Sequence, residues 1–311
     1  MNYLAGGNIA QNADTTTQAG QIDYVATAGN LTIKESIRTT TGAGDINFTA
    51  GDSIRSEIIG TGEGDINFTA ANNIVASNTV DTASGEVNFT ATTGSIETEA
   101  DAAITATSNV ALQANQDITQ NAAVASTAQG DVTYSAATGS ITQNAETTAN
   151  IGDIAYTAAQ SITQNAVTSI QAGDVNYLAG GNIEQNANTT TQAGQIDYAA
   201  TTGNIIVDAG MTTSTGTGAI NFTAGDNIRS EIVTTGTGDI TFTATNNITA
   251  GNTVGTAAGQ ISFIAEQGDI ETESDATLTA TSNISLAAQG NIDQNAAVAS
   301  TAQGDVTYSA A

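Results

Sequence analysis

The densest cluster of side chains able to do chemistry is Asp269, Glu271, Glu273 and Asp275, four carboxylates at alternate positions. On an extended strand all four face solvent on one side, and a weak Ca²⁺ site is the metal chemistry open to them. Ca²⁺ takes roughly 6–8 oxygens at about 2.3–2.6 Å, whereas alternate strand residues start about 6.6 Å apart. Two such carboxylates can pinch an ion and four cannot converge, so the preferred reading is a solvated acidic face. Their counterparts 174 residues earlier are Ser95, Glu97, Glu99 and Asp101.

Gly42-Ala43-Gly44-Asp45 and Gly62-Glu63-Gly64-Asp65 are faintly similar to a calcium-binding nonapeptide, but Asp follows Gly directly and copies recur every 20–24 residues instead of about nine. They read as corners. Catalysis has little to draw on, because the chain has no His and no Cys and its only basic residues are Lys34, Arg38, Arg55 and Arg229. None of these falls in the acidic cluster by sequence. Paired carboxylates can hydrolyse glycosides, yet a repeated chain makes many equivalent faces and an active site needs one unique place. The expectation is no enzyme and no cofactor.

The 31 acidic residues against four basic ones give a net charge of −27. Nucleic acid and anionic membrane both recruit clustered positive charge, so neither is expected as a partner. No run of about 18 apolar residues is present to span a bilayer, and no signal peptide follows Met1. The sequence starts and stops inside repeats, so it reads as an excerpt of a longer chain.

What positions these residues is repetition on two scales. Asn2-Tyr3-Leu4-Ala5-Gly6-Gly7-Asn8-Ile9 returns as Asn176 through Ile183, an offset of 174 residues that also relates Phe48 to Phe222, Phe68 to Phe242 and Tyr134 to Tyr308. Inside this super-repeat (1–174, then an incomplete copy over 175–311), an anchor recurs at Tyr3, Tyr24, Phe48, Phe68, Phe89, Leu112, Tyr134 and Tyr156, in steps of 20–24 residues. Periods of this size indicate a solenoid, since a propeller blade needs roughly 40–50 residues.

Alternation selects strand over helix. In Asp65-Ile66-Asn67-Phe68-Thr69-Ala70 the apolar residues occupy every second position, which places them on one face of a strand. A second apolar post follows each anchor at Ile9, Leu31, Ile54, Ile74 and onward, and a third, weaker segment lies near Thr15 to Thr17, Val80, Ile104, Val124 and Val167. The expected fold is an all-β parallel β-helix of about 14 coils, three short strands per coil, continuous over 1–311. At about 4.8 Å per coil it would be about 67 Å long.

Stacked coils turn each position into a column. Phe48, Phe68 and Phe89 form one aromatic column, and Tyr134, Tyr156, Tyr177 and Tyr198 another, set near a corner or amide ladder because a buried hydroxyl requires a partner. The Gln-Asn-Ala triplets at Gln120, Gln143, Gln164 and Gln185 put Asn121, Asn144, Asn165 and Asn186 in register for an axial amide ladder. Asn47-Phe48-Thr49 fits a glycosylation pattern, read as a by-product of alternation.

Segments such as Ala50-Gly51-Asp52-Ser53-Ile54 and Gly130-Asp131-Val132-Thr133-Tyr134-Ser135-Ala136-Ala137-Thr138-Gly139-Ser140-Ile141 resemble the repeats of filamentous-haemagglutinin-like exoproteins and related giant bacterial adhesins. The resemblance covers essentially the whole chain and implies a right-handed β-helix, export through an outer-membrane partner, and a place at the bacterial cell surface or in an extracellular matrix. The function expected is a structural stalk or fibre segment that spaces or displays other domains. Its expected partner is itself, end to end through uncapped strand edges or side by side when cations screen the charge. The alternative is an adhesin surface that binds glycan through Thr, Asn or Tyr ladders. Thr15-Thr16-Thr17, Thr39-Thr40-Thr41 and Thr189-Thr190-Thr191 are also similar to ice-binding arrays, but Ala and Ser interrupt them.

Overall fold

Regular spacing of β-formers and corner residues produces an all-β chain in a computed structural model that describes residues 1–302 and 304–311. It contains no helix among the described residues. Two compact units, Met1–Ala159 and Gln160–Ala311, make up the chain, and this division does not coincide with the restart of the super-repeat.

In the first unit, strands such as Ile46–Ala50, Ile66–Ala70 and Val87–Ala91 form one parallel sheet, Ile54–Ser56, Ile74–Ala76 and Ile96–Thr98 a second, and Ile58–Thr61, Val80–Thr82 and Ala103–Ala106 a third. Each coil contributes one strand to each sheet, so the unit is a parallel β-solenoid. Registers are as the anchors require: Phe68 pairs with Phe48 on one side and Phe89 on the other. The second unit repeats the plan, with Phe222 beside Tyr198 and Phe242. Eight anchor strands in the first unit and seven in the second account for all fifteen anchors.

Inward positions are filled by Ile, Val, Phe, Tyr and Ala, nearly all fully buried. A buried aliphatic or aromatic side chain contributes about 1.5–3 kcal/mol relative to exposure, and each needs the coils above and below to cover it. The rings stack face to face, with centroids 5.0 Å apart for Phe48–Phe68 and 4.6 Å for Phe68–Phe89. Phe242–Phe263 alone among the described pairs is edge-on, at 84°; nothing in the structure explains this departure.

Corners are closed by carboxylates and amides reaching along the stack. Asp45 Oδ1 accepts the Asp65 backbone N–H at 3.0 Å, and Asp65 Oδ1 accepts that of Glu86 at 2.9 Å. Gly44 and Gly64 adopt φ of +118° and +124°, a conformation only glycine takes without strain. The Gly-x-Gly-Asp segments are therefore corners, as their spacing indicates.

One third-strand assignment changes. Val167 is 38% exposed, and Thr168 and Ile170 of Thr168–Ala172 point inward instead. Hydrophobicity is a poor guide there, because in the coils anchored by Tyr a threonine hydroxyl holds the inward place.

Candidate functional site

The buried chemistry of the chain is a polar spine of Gln, Thr and Tyr. Gln185 closes the strand Ile183–Gln185 and its side chain points inward, fully buried. Its Oε1 accepts the Tyr198 hydroxyl at 2.8 Å and the Thr213 hydroxyl at 2.8 Å, while Nε2 donates to the carbonyls of Ala187 at 2.9 Å and Thr212 at 3.2 Å. In the first unit Gln11 accepts from Thr39 at 2.7 Å, and Tyr24 donates to Thr15 at 2.7 Å. Gln120 likewise accepts from Thr147 at 3.1 Å, whose hydroxyl lies 3.0 Å from that of Tyr134.

Gln120 pairs in register with Gln143 and Gln164 with Gln185, yet the amides of Gln11, Gln120 and Gln185 go to hydroxyls and carbonyls. They cross from the second strand to the third, because a buried amide is best satisfied where both a carbonyl and a hydroxyl are within reach. The Asn residues do form the ladder: Asn144 donates to Asn121 at 2.9 Å in one unit and Asn186 to Asn165 at 2.8 Å in the other.

Coil by coil, anchor and third strand match. Tyr24, Tyr134, Tyr177 and Tyr198 share their coils with Thr39, Thr147, Thr189 and Thr213, whereas Phe48, Phe68, Phe89 and Leu112 share theirs with Ile59, Val80, Ile104 and Val124. Where the spine gives out, Ser56 and Ser230 stand at the buried Gln position with hydroxyls that have no partner among the described residues. Burial pushes the Tyr177 and Tyr198 phenols well above their ordinary value, and that of Tyr24 upward too. Tyr134 and Tyr156 stack at 4.7 Å, as do Tyr177 and Tyr198. All four rings are core, so they offer no platform to a ligand.

Threonine triplets show the same economy. In Thr39-Thr40-Thr41 the outer two residues are buried and only Thr40 faces out, 3.2 Å from Thr16. One outward hydroxyl per coil is too sparse for the flat paired arrays that the triplets suggest in sequence.

The acidic cluster is rearranged too. The strand covers only Ile270–Thr272, and the chain turns at Glu273, whose carbonyl accepts the Ala276 N–H at 3.0 Å. The four carboxylates therefore do not share one strand face. Asp269 caps the Asn291 backbone at 2.6 Å, and Glu273 is bound by Arg229 at 2.6 Å. Among the described residues no group of three or more acidic side chains converges as metal ligands would.

Arg229 and Arg55 are the functional groups that sequence reasoning missed. Arg55 makes two hydrogen bonds to Glu99, at 2.8 and 3.0 Å, over a separation of 44 residues, or two coils. These bonds hold Glu99 below its ordinary carboxylate value and raise the guanidinium. Arg229 adds a contact to Glu231 at 3.1 Å, which Gly251 permits: a Cβ there would lie 2.5 Å from Glu231 Oε1. The first unit has Ser77 at the equivalent place. The signal in sequence is the 174-residue offset, which preserves Arg and Glu together while Lys34 and Arg38 become Asp208 and Thr212.

No protein-family model, no curated protein and no solved structure matches the chain.

Proposed function

We propose that the chain is a structural spacer, a segment of a secreted or cell-surface bacterial protein that holds other domains away from their anchor and is not itself an enzyme. The observation that carries this reading is the use to which polar side chains are put: Gln and Thr hydroxyls bind coil to coil inside, and Asp and Asn cap coil corners outside. The resemblance to adhesin repeats supports the extracellular placement. A net charge of −27 keeps neighbouring copies apart, and divalent cations are expected to let them bundle side by side, with light scattering rising across a Ca²⁺ titration.

Deletion of one super-repeat from the parent protein tests the reading. Removing eight coils should bring a displayed terminal domain closer to its anchor by about 38 Å, with the domain's own activity intact. A parent that keeps its display height, or loses a reaction the chain itself performs, would contradict it.

A further inference from the structure

The second sheet of the first unit carries on its outer face a shallow trough of about 520 Å³, lined by Asn30, Asn73, Ala10, Thr32, Val75 and Arg55 among others. A trough of about 330 Å³ occupies the equivalent place in the second unit, lined by Asn204, Asn227, Asn247, Ile206, Thr249 and Arg229. Both run along the direction in which coils stack. One side is a column of corner amides, and the floor is the outward residue of each short second strand.

The amides present donors. Oδ1 of Asn30 and of Asn73 is taken by the next coil's backbone N–H, at 3.1 and 2.9 Å, while their Nδ2 groups have no protein partner among the described residues. In the second unit Asn227 spends both amide hydrogens, on Asn204 at 2.9 Å and Asp226 at 2.8 Å, while Asn247 donates to Asn227 at 3.1 Å, which leaves the other hydrogen of the Asn247 amide unused among the described residues. Next to this row lies a guanidinium held flat by a carboxylate, 2.8 and 3.0 Å from Arg55 to Glu99. Two of its five N–H groups are spent there, and the rest remain beside the carboxylate's free lone pairs. Donor and acceptor side by side complement a vicinal diol. The floor of Ala10, Val75 and Ile206 suits the C–H face of a sugar ring.

Charge narrows the ligand. With net charge −27, and with Glu97 and Glu99 close to the guanidinium, a polyanion would be repelled. We propose that these troughs bind an uncharged, hydroxyl-rich polysaccharide strand lying along the stacked coils. Such binding goes beyond the spacer role, and its failure would leave that role untouched.

Affinity electrophoresis of the full chain through gels containing xyloglucan, galactomannan or dextran, with alginate as the acidic control, tests the proposal. Retardation by at least one neutral polysaccharide and none by alginate is expected. Retardation should be lost in the double variant Ala10→Glu/Ile206→Glu, which puts a carboxylate in each floor without touching the core. It should persist in Thr69→Glu on the first sheet, and circular dichroism of each variant should keep the parent's β signal. The proposal is overturned if no neutral gel retards the chain, if only alginate does, or if the double variant migrates as the parent does.

Discussion

Arg55 and Glu99 are joined by two hydrogen bonds, at 2.8 and 3.0 Å, across a coil that contributes neither partner, and Arg229 reaches Glu273 in the same way at 2.6 Å. Register explains the reach. Arg55 pairs with Val75 and Val75 with Glu97, so Glu99 lies just past the strand end two coils away, within the length of an arginine side chain. The partners are 45% and 38% exposed, and such pairs contribute about 0–1 kcal/mol.

Arg55→Gln is therefore expected to leave global stability almost unchanged while the Glu99 titration, followed by NMR, moves up toward the ordinary carboxylate range. Glu99's folded pKa lies below its unfolded one. Its contribution is thus present above the unfolded pKa and is lost as pH falls through the folded value. An unaltered Glu99 titration in the variant would mean that the guanidinium is not what depresses it.

Gln185→Leu removes the shared acceptor of two buried hydroxyls, those of Tyr198 and Thr213, which both donate to Oε1. An orphaned buried donor costs about 1–3 kcal/mol, so local opening should become easier by about 2–4 kcal/mol. Adding Tyr198→Phe and Thr213→Val recreates the Phe-with-aliphatic pairing of the neighbouring coil and should recover much of the loss. Native-state hydrogen exchange across Ile196–Ala200 measures this better than a single unfolding midpoint, since solenoids open coil by coil. Equal protection in parent and Gln185→Leu would refute the role given to the spine.

Alkaline pH should attack the same spine. The Tyr177 and Tyr198 phenols are raised above an ordinary value of 10.0. The stability they contribute is complete below that unfolded value and is lost as pH climbs from it toward the folded one. Phenolate absorbance from the buried tyrosines is expected to appear together with loss of the β signal in circular dichroism. Full ionisation near pH 10 with that signal intact would show that the hydroxyls are not buried as described.

Two glycines of the second unit should respond differently to added side chains. A Cβ on Gly238 would lie 1.8 Å from the carbonyl oxygen of Gly218, which is backbone and cannot move aside, so Gly238→Ala should cost about 1–3 kcal/mol. At Gly251 the obstacle is the mobile end of Glu231, and the first unit already carries Ser77 there. Gly251→Ser should swing Glu231 off Arg229 with little loss, and urea unfolding midpoints that ranked the two variants the other way would contradict this.

Much of the fold is legible in sequence because the code for a solenoid is local and repeated. Phe48, Phe68 and Phe89 announce the first sheet, and Ile54, Ile74 and Ile96 the second, because each is an apolar residue in strict alternation near a glycine or Asn corner. The third strand is less visible, since its inward places in the Tyr coils are Thr, a residue that alternation treats as polar and outward. That is why Val167 is misleading. The same blindness hides the destination of Gln185: an amide in a repeat suggests a ladder, and only its distance to Tyr198 and Thr213 reveals a crosslink. Arg55 and Glu99 are further still from view, because 44 residues separate them and the intervening coil gives no hint that both face the same way. Glu273 shows the opposite error, as alternating carboxylates suggest a strand where the chain already turns.

Stacking in register can be measured directly in solution. Leu4, Val25, Thr49, Thr69, Thr90 and Gln113 form one outward column of the first unit, each paired with the next. Leu4 and Gln113 are both exposed and five coil steps apart, so spin labels on Leu4→Cys and Gln113→Cys should give a narrow electron–electron distance distribution centred at about 24 Å. A broad distribution, or a centre beyond about twice that value, would mean that the coils do not lie one on another.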